Sequence, residues 1–311
     1  MEHDVIGDIH GHADKLVALL GKLGYRQRNG AWRHPDPNRS AIFVGDFIDR
    51  GPGQLATIGI VRAMLDAGTA QAVMGNHEFN AVAWHTPDRL EAGKHLRKRS
   101  DKNLHQHQAF LTETEHDPGL HQELVDWFLS LPVWLDLPGL RIVHACWDPA
   151  QMARLAPKLL PGNKLNVALV DAASRPGTLE HDAIETLLKG PEIDLPSGYG
   201  FKDPGGHTRT RVRLRWWDAT AKTYRQAGIA NGGSSLGFPD VTLPDGCQLG
   251  YAEDKPVLFG HYWESGIPKP HGDKVACVDY SACKGGPLVA YHWQGESELS
   301  ASHFIATDEG T

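Results

Sequence analysis

This sequence of 311 residues predicts an α/β fold, on two observations. Short apolar runs recur along it: DVIG at 4–7, AIFVG at 41–45, AVMG at 72–75, RIVHA at 141–145 and PVLFG at 256–260. Each has the length and aliphatic content of a strand buried on both faces. Helical patterns follow several of these runs, and strands alternating with helices place a functional edge at the strand C-termini.

The elements follow in order. HADKLVALLGKLG at 12–24 puts Leu16, Leu19, Leu20 and Leu23 on one helical face, with Gly24 as a stop. QLATIGIVRAMLDAG at 54–68 repeats that scheme. Residues 86–130 are polar and predicted mostly helical, HQELVDWFLSL being the clearest amphipathic piece. Residues 161–206 and 228–255 are rich in Gly, Pro and Asp and read as long surface excursions. VACVDYSACKGGPLVAYHW reads as two strands around a Gly–Gly turn. A single domain, 1–311, is expected, with a helical insertion at about 86–130 and loop-rich specificity insertions at about 147–255.

Composition narrows the function classes. The chain is 41% hydrophobic and 22% charged, ordinary for a globular protein. A net charge of −7 gives no global attraction for nucleic acid, so an anionic substrate needs locally placed cations. Cys146, Cys247, Cys277 and Cys283 form no CxxC pair and are expected to be reduced thiols. No apolar run approaches the roughly 20 residues that cross a bilayer. Strand pattern begins within a few residues of Met1, leaving no room for a signal peptide, so a cytoplasmic location is expected.

The chemistry lies at the ends of the five apolar runs. Asp8 and His10 follow the first, Asp46 the second, and Asn76 and His77 the third; His144 ends the fourth and His261 follows the fifth. Each piece alone is an ordinary turn or helix cap. Together they bring carboxylate, amide and imidazole donors to one edge, a mixture suited to Mn, Fe, Zn or Co rather than to calcium. Six ligands exceed one tetrahedral site and suit two ions sharing a carboxylate, an arrangement that can flank displacement at phosphorus.

In this order, GDIHG, GDFIDRGP, GNHE, HA and GH resemble the signature of the calcineurin-like metallophosphoesterases, closest to the phosphoprotein phosphatase branch and its bacterial relatives. Residues 1–85 resemble bacterial bis(5′-nucleosyl)-tetraphosphatases about as well as bacterial serine/threonine phosphatases. The resemblance implies a four-layer fold, a central double β-sandwich flanked by helices. It also implies that Asp8 and His10 hold one metal, that Asp46 bridges, and that Asn76, His144 and His261 complete the second. His77 would be the general acid, Asp49 its orienting partner, and Arg50 a phosphate clamp, with Asn76 also facing the phosphate. Two divalent or trivalent ions are implied, manganese first, with Fe, Zn, Co or Ni as alternatives.

Two departures qualify the resemblance. The usual glycine after HA is Cys146, and the segment beyond His261 lacks the loop typical of eukaryotic phosphoprotein phosphatases, which weighs against a protein substrate. The leading expectation is a phosphomonoesterase using water activated between two metals. Next stands a hydrolase of dinucleoside polyphosphates or cyclic nucleotides, and, from another class, a non-catalytic metal-binding scaffold. The partner is then a phosphorylated small molecule, nucleotide or phosphoprotein, with no membrane and no nucleic acid expected.

Weaker signals remain. TRTRVRLRWW at 208–217 sets Arg209, Arg211, Arg213 and Arg215 on one strand face; same-face neighbours are roughly 6.6 Å apart, so one phosphate can meet only one or two of them. One of these four is the candidate for the second phosphate-binding arginine that the resemblance implies. KHLRKRSDK at 94–102 reads as a solvated helix face, HQH at 105–107 is no metal site, and His12 is expected at a helix start rather than on a metal.

Overall fold

Successive residues of the central strands enter two different cores. In a computed structural model, which describes residues 1–202, 206, 208–229, 237–247 and 249–307, Val5, Ile42, Ile142, Leu258, Ala276 and Tyr291 pack together between two sheets. Their chain neighbours Ile6, Phe43, Val143, Phe259, Cys277 and Ala290 face outward and join helix residues in a second, larger core. This alternation is the strand period of two applied to strands buried on both sides.

The first sheet has the strand order Phe304–Ala306, Val289–Trp293, Glu2–Ile6, Arg39–Phe43, Ala70–Ala72, and its last three strands run parallel. The second has the order Val275–Cys277, Val257–Phe259, Leu140–Val143, Trp134–Leu137, the first three parallel. The two sheets form the double β-sandwich flanked by helices that the resemblance implies. Helices Ala13–Lys22 and Gln54–Asp66 connect parallel strands, so the C-terminal ends of those strands share an edge. Leu16, Leu19 and Leu20 are fully buried beneath the first helix, each contributing on the order of 1.5–3 kcal/mol. Gly24 ends that segment with φ +96°, in the region that favours glycine.

Two expectations are corrected. The strands of VACVDYSACKGGPLVAYHW form, but not as a hairpin: Val275–Cys277 pairs in parallel with Val257–Phe259, whereas Val289–Trp293 runs antiparallel to Glu2–Ile6 in the other sheet. The chain between them crosses the sandwich, so the Gly–Gly pair ends a crossover instead of closing a two-strand turn. Within 161–206, expected as a surface excursion, helices Val167–Ala173 and Leu179–Lys189 bury Leu169, Val170, Ile184 and Leu187 in the larger core. Their three- and four-residue apolar spacing outweighs the surrounding Gly and Pro. Beyond them, Glu192–Asp194, Arg211–Leu214 and Gly228–Ile229 make a small antiparallel sheet with its own core around Val212, Leu214, Tyr224 and Phe238. Parts of the Gly-rich stretches, 203–205, 207, 230–236 and 248, lie outside the described residues.

Residues 86–130 carry helices Asp101–Thr114 and Pro118–Leu129, capped by Ser100 and Asp117, whose side chains accept from backbone N–H groups of the first turn. Among the described residues, no helix is long and apolar enough to cross a membrane.

Candidate metal centre and active site

The strand-end loops are held in uncommon backbone conformations. His10, Asp46, Asp49, Arg50 and His261 all have φ between +48° and +73°. Left-handed backbone at non-glycine residues is costly and persists where the surroundings over-determine it. Here the loops brace one another: Ile9 and His10 N–H donate to Asp46 O (3.1 and 2.9 Å), and Gly51 N–H donates to His10 O (2.9 Å). The fully buried Glu78 carboxylate accepts from Asp46 N (2.8 Å), Phe47 N (2.8 Å) and Gly75 N (2.9 Å), tying the second loop to the third. Burial and the nearby Asp46 charge push its pKa up to about 7.

Two glycines are required for close approach. A Cβ on Gly75 would lie 2.2 Å from Asp46 Oδ1, and one on Gly260 would lie 2.0 Å from Asp8 Oδ1. Any side chain at either position would displace a carboxylate.

Asp46 is the hub. Its Oδ2 lies 3.6 Å from His10 Nε2 and 3.9 Å from His77 Nε2, and its Oδ1 lies 3.5 Å from His144 Nε2. Two groups of donors therefore share it, His10–Asp46–His77 and Asp46–His144–His261, the atoms of each lying within 4.8 Å of one another. Asn76 Oδ1 is 3.2 Å from His144 Nε2. Asp8 lies outside both groups, its carboxylate accepting from His261 N at 3.1 Å.

The donor set fits a pair of metal ions. His10 Nδ1 and His144 Nδ1 donate to the carbonyls of Ile48 (2.9 Å) and Val44 (2.7 Å), which leaves each Nε2 with its lone pair inward. His10 Nε2 is buried without a hydrogen-bond partner. Burial, together with His77 and Arg50, lowers the His10 pKa to about 3, so the ring is neutral and free to ligate. Burial and then Arg213 hold His261 well below its usual value. Burial opposes ionisation of Asp46, but His144 and His77 outweigh it and its carboxyl lies well below the usual range. Asp8 is driven the other way, by burial and by the charges of Asp279 and Asp46. Buried acids crowded in this manner are what a divalent cation relieves.

His77 heads the helix Asn76–His85 and is fastened by a buried carboxylate: its Nδ1 lies 2.5 Å from Asp49 Oδ2. The other oxygen of Asp49 accepts from His107 Nδ1 at 2.8 Å. His107 belongs to the HQH triplet, no member of which lies in either donor group; its ring meets Asp49 instead. The signal for it was the buried face of helix Asp101–Thr114, on which His107, Phe110, Leu111 and Thr114 follow one another at helical spacing. Arg50 Nη2 lies 3.4 Å from His77 Nε2.

The four arginines do not share one strand: Arg209 ends Thr208–Arg209, Arg211 and Arg213 lie in Arg211–Leu214, and Arg215 follows it; Arg213 reaches the site. Its Nη1 donates to His261 Nε2 (2.7 Å) while Nη2 pairs with Glu192 (2.9 Å). Arg211 and Arg215 donate to the backbone carbonyls of Glu192 and Gln226, and Arg209 is exposed. His12 precedes the first helix and belongs to neither donor group. In the basic run, Arg97 turns in to Asn80, Asn103 and Gln106, and Arg99 stacks on Trp84. All four cysteines are free, and Cys146 is buried beside His144 with its thiol pushed up by burial.

Residues 4–154 match the calcineurin-like phosphoesterase family. A symmetrical bis(5′-nucleosyl)-tetraphosphatase of Shewanella baltica is 30% identical over 314 residues, taking in 96% of this chain and 97% of that protein. The chain belongs to the calcineurin-like phosphoesterases. An asymmetrical bis(5′-nucleosyl)-tetraphosphatase of Halalkalibacterium halodurans is 48% identical over 77 residues, a match spanning 25% of this chain and 31% of that relative. A crystal structure described as a diadenosine tetraphosphatase shares the fold, with a TM-score of 0.50, 15% identity and coverage of 99% and 95% of the two chains. The chain spans only about a third of the length of the asymmetrical relatives it matches.

Proposed function

We propose that this phosphoesterase cleaves phosphoanhydride bonds in dinucleoside polyphosphates, using two divalent ions held around Asp46. The single observation supporting the substrate class is the end-to-end match to a symmetrical bis(5′-nucleosyl)-tetraphosphatase. On this reading the nucleotide-directed hydrolase moves ahead of the phosphomonoesterase that led on sequence alone.

Asp8 and His10 with Asp46 would hold one ion, and Asn76, His144 and His261 with Asp46 the other. When bound, such ions lower the pKa of a water and neutralise phosphoryl charge. The chain's own residues do the rest. Arg50 beside His77 and Arg213 beside His261 border the two donor groups and would offer planar donors to phosphoryl oxygens. His77 Nε2 would pass a proton to the departing oxygen, and Asp49 on Nδ1 fixes the ring's orientation. His107, on the far oxygen of Asp49, prevents that carboxylate from rotating away.

With manganese supplied, diadenosine tetraphosphate is expected to be converted to ADP as sole nucleotide product, read by chromatography. Release of AMP and ATP would contradict symmetrical cleavage. Hydrolysis of p-nitrophenyl phosphate with no turnover of the dinucleotide would restore the phosphomonoesterase reading.

A further inference from the structure

Two cations share one aromatic ring beside His77. The Arg50 guanidinium sits 4.4 Å from the centre of the Trp263 ring and the Lys284 ammonium 3.5 Å from it. Among the described residues, neither forms an ion pair with a carboxylate; Arg50 reaches only His77 Nε2 and Cys283 Sγ. The buried Asp279 charge acts on both from beyond ion-pair distance, and like charges gathered this closely still favour an anion that joins them. Burial, and after it Arg50, lowers the Lys284 pKa, in keeping with that crowding.

The arrangement is built rather than casual. Trp263 and Ser281 both have left-handed backbone, φ +52° and +61°, and one buried carboxylate holds both: Asp279 accepts from Trp263 N (2.8 Å) and Ser281 N (3.0 Å). Lys15 Nζ donates to the carbonyls of Ala282 and Gly286, both at 2.7 Å, clamping the turn that carries Lys284. Three separate loops thus converge to hold two cations against one ring beside His77.

We propose that Arg50, Trp263 and Lys284 form a subsite for a second phosphate, the one on the leaving side of the scissile bond. This deepens the reading above and rests on its placement of His77 at the leaving group. A phosphoanhydride carries a charged phosphate at that place, and a simple monoester does not. Lys284 is then a specificity residue, selecting polyphosphate chains over monoesters.

The test uses probes without a nucleotide. In a p-nitrophenyl phosphate assay at fixed free manganese, methylenediphosphonate, whose P–C–P link resists hydrolysis, competes with its single-phosphorus counterpart, methylphosphonate. The wild type is expected to prefer the diphosphonate by about tenfold or more, the worth of one charge-assisted contact. Lys284→Gln, checked for wild-type metal content, is expected to lose most of that preference, and Lys284→Arg to keep it. An unchanged preference in Lys284→Gln would overturn the subsite, even in an enzyme that cleaves diadenosine tetraphosphate. A lost preference in an enzyme that ignores diadenosine tetraphosphate would uphold the subsite and refute only the nucleotide reading.

Discussion

His77→Asn is expected to lower kcat toward a phosphate ester with a poor leaving group about 10²–10⁴-fold while bound metal stays at the wild-type level. His77 Nδ1 is engaged by Asp49, and its Nε2 points to the hub, 3.9 Å from Asp46 Oδ2. Burial would raise the Asp49 carboxyl, but His77 and His107 outweigh it and hold the group well below the usual carboxylate range. An ionised Asp49 stabilises a protonated His77, which is what a proton donor requires. Loss should be greatest for esters with poor leaving groups and smallest for p-nitrophenyl phosphate, because a good leaving group needs no proton. His77 also lies within the donor group of His10 and Asp46, so elemental analysis separates the two roles. Metal lost in parallel with turnover would make His77 a ligand and remove the acid.

Asp46→Asn is expected to reduce metal content below two per chain and hydrolysis by roughly 10³-fold or more, equivalent to several kcal/mol of lost charge stabilisation. The amide preserves the shape that accepts His77 N–H at 2.9 Å, so the loops should stay in place and the missing charge be isolated. A variant that keeps both ions and most of its activity would show that Asp46 does not bridge.

Much of the site was legible because its motifs are local. Asp8 with His10, Asp46 with Asp49 and Arg50, and Asn76 with His77 each sit within a few residues of a strand end, where the strand pattern itself fixes their edge. What was not legible depends on long-range register. His107 meets Asp49 across 58 positions, and nothing near HQH names its partner. Arg213 was one of four equivalent arginines until the pairing of its strand with Glu192–Asp194 turned it toward His261. Glu78 stood in view within GNHE, yet its work, accepting three backbone N–H groups from two loops, appears only once those loops are folded together. Asp279 likewise reads as part of a tail strand and proves to be the clamp behind Trp263 and Ser281. The crossover of the tail was missed because a Gly–Gly pair between two apolar runs is also a local sign of a hairpin.

The account rests on two ions meeting at one carboxylate, and anomalous diffraction from manganese-loaded crystals tests it most directly. The expected result is two peaks about 3.5–4 Å apart, both within coordination distance of Asp46, one beside His10 and the other beside His144. A single peak, or two peaks that do not share Asp46, would contradict it.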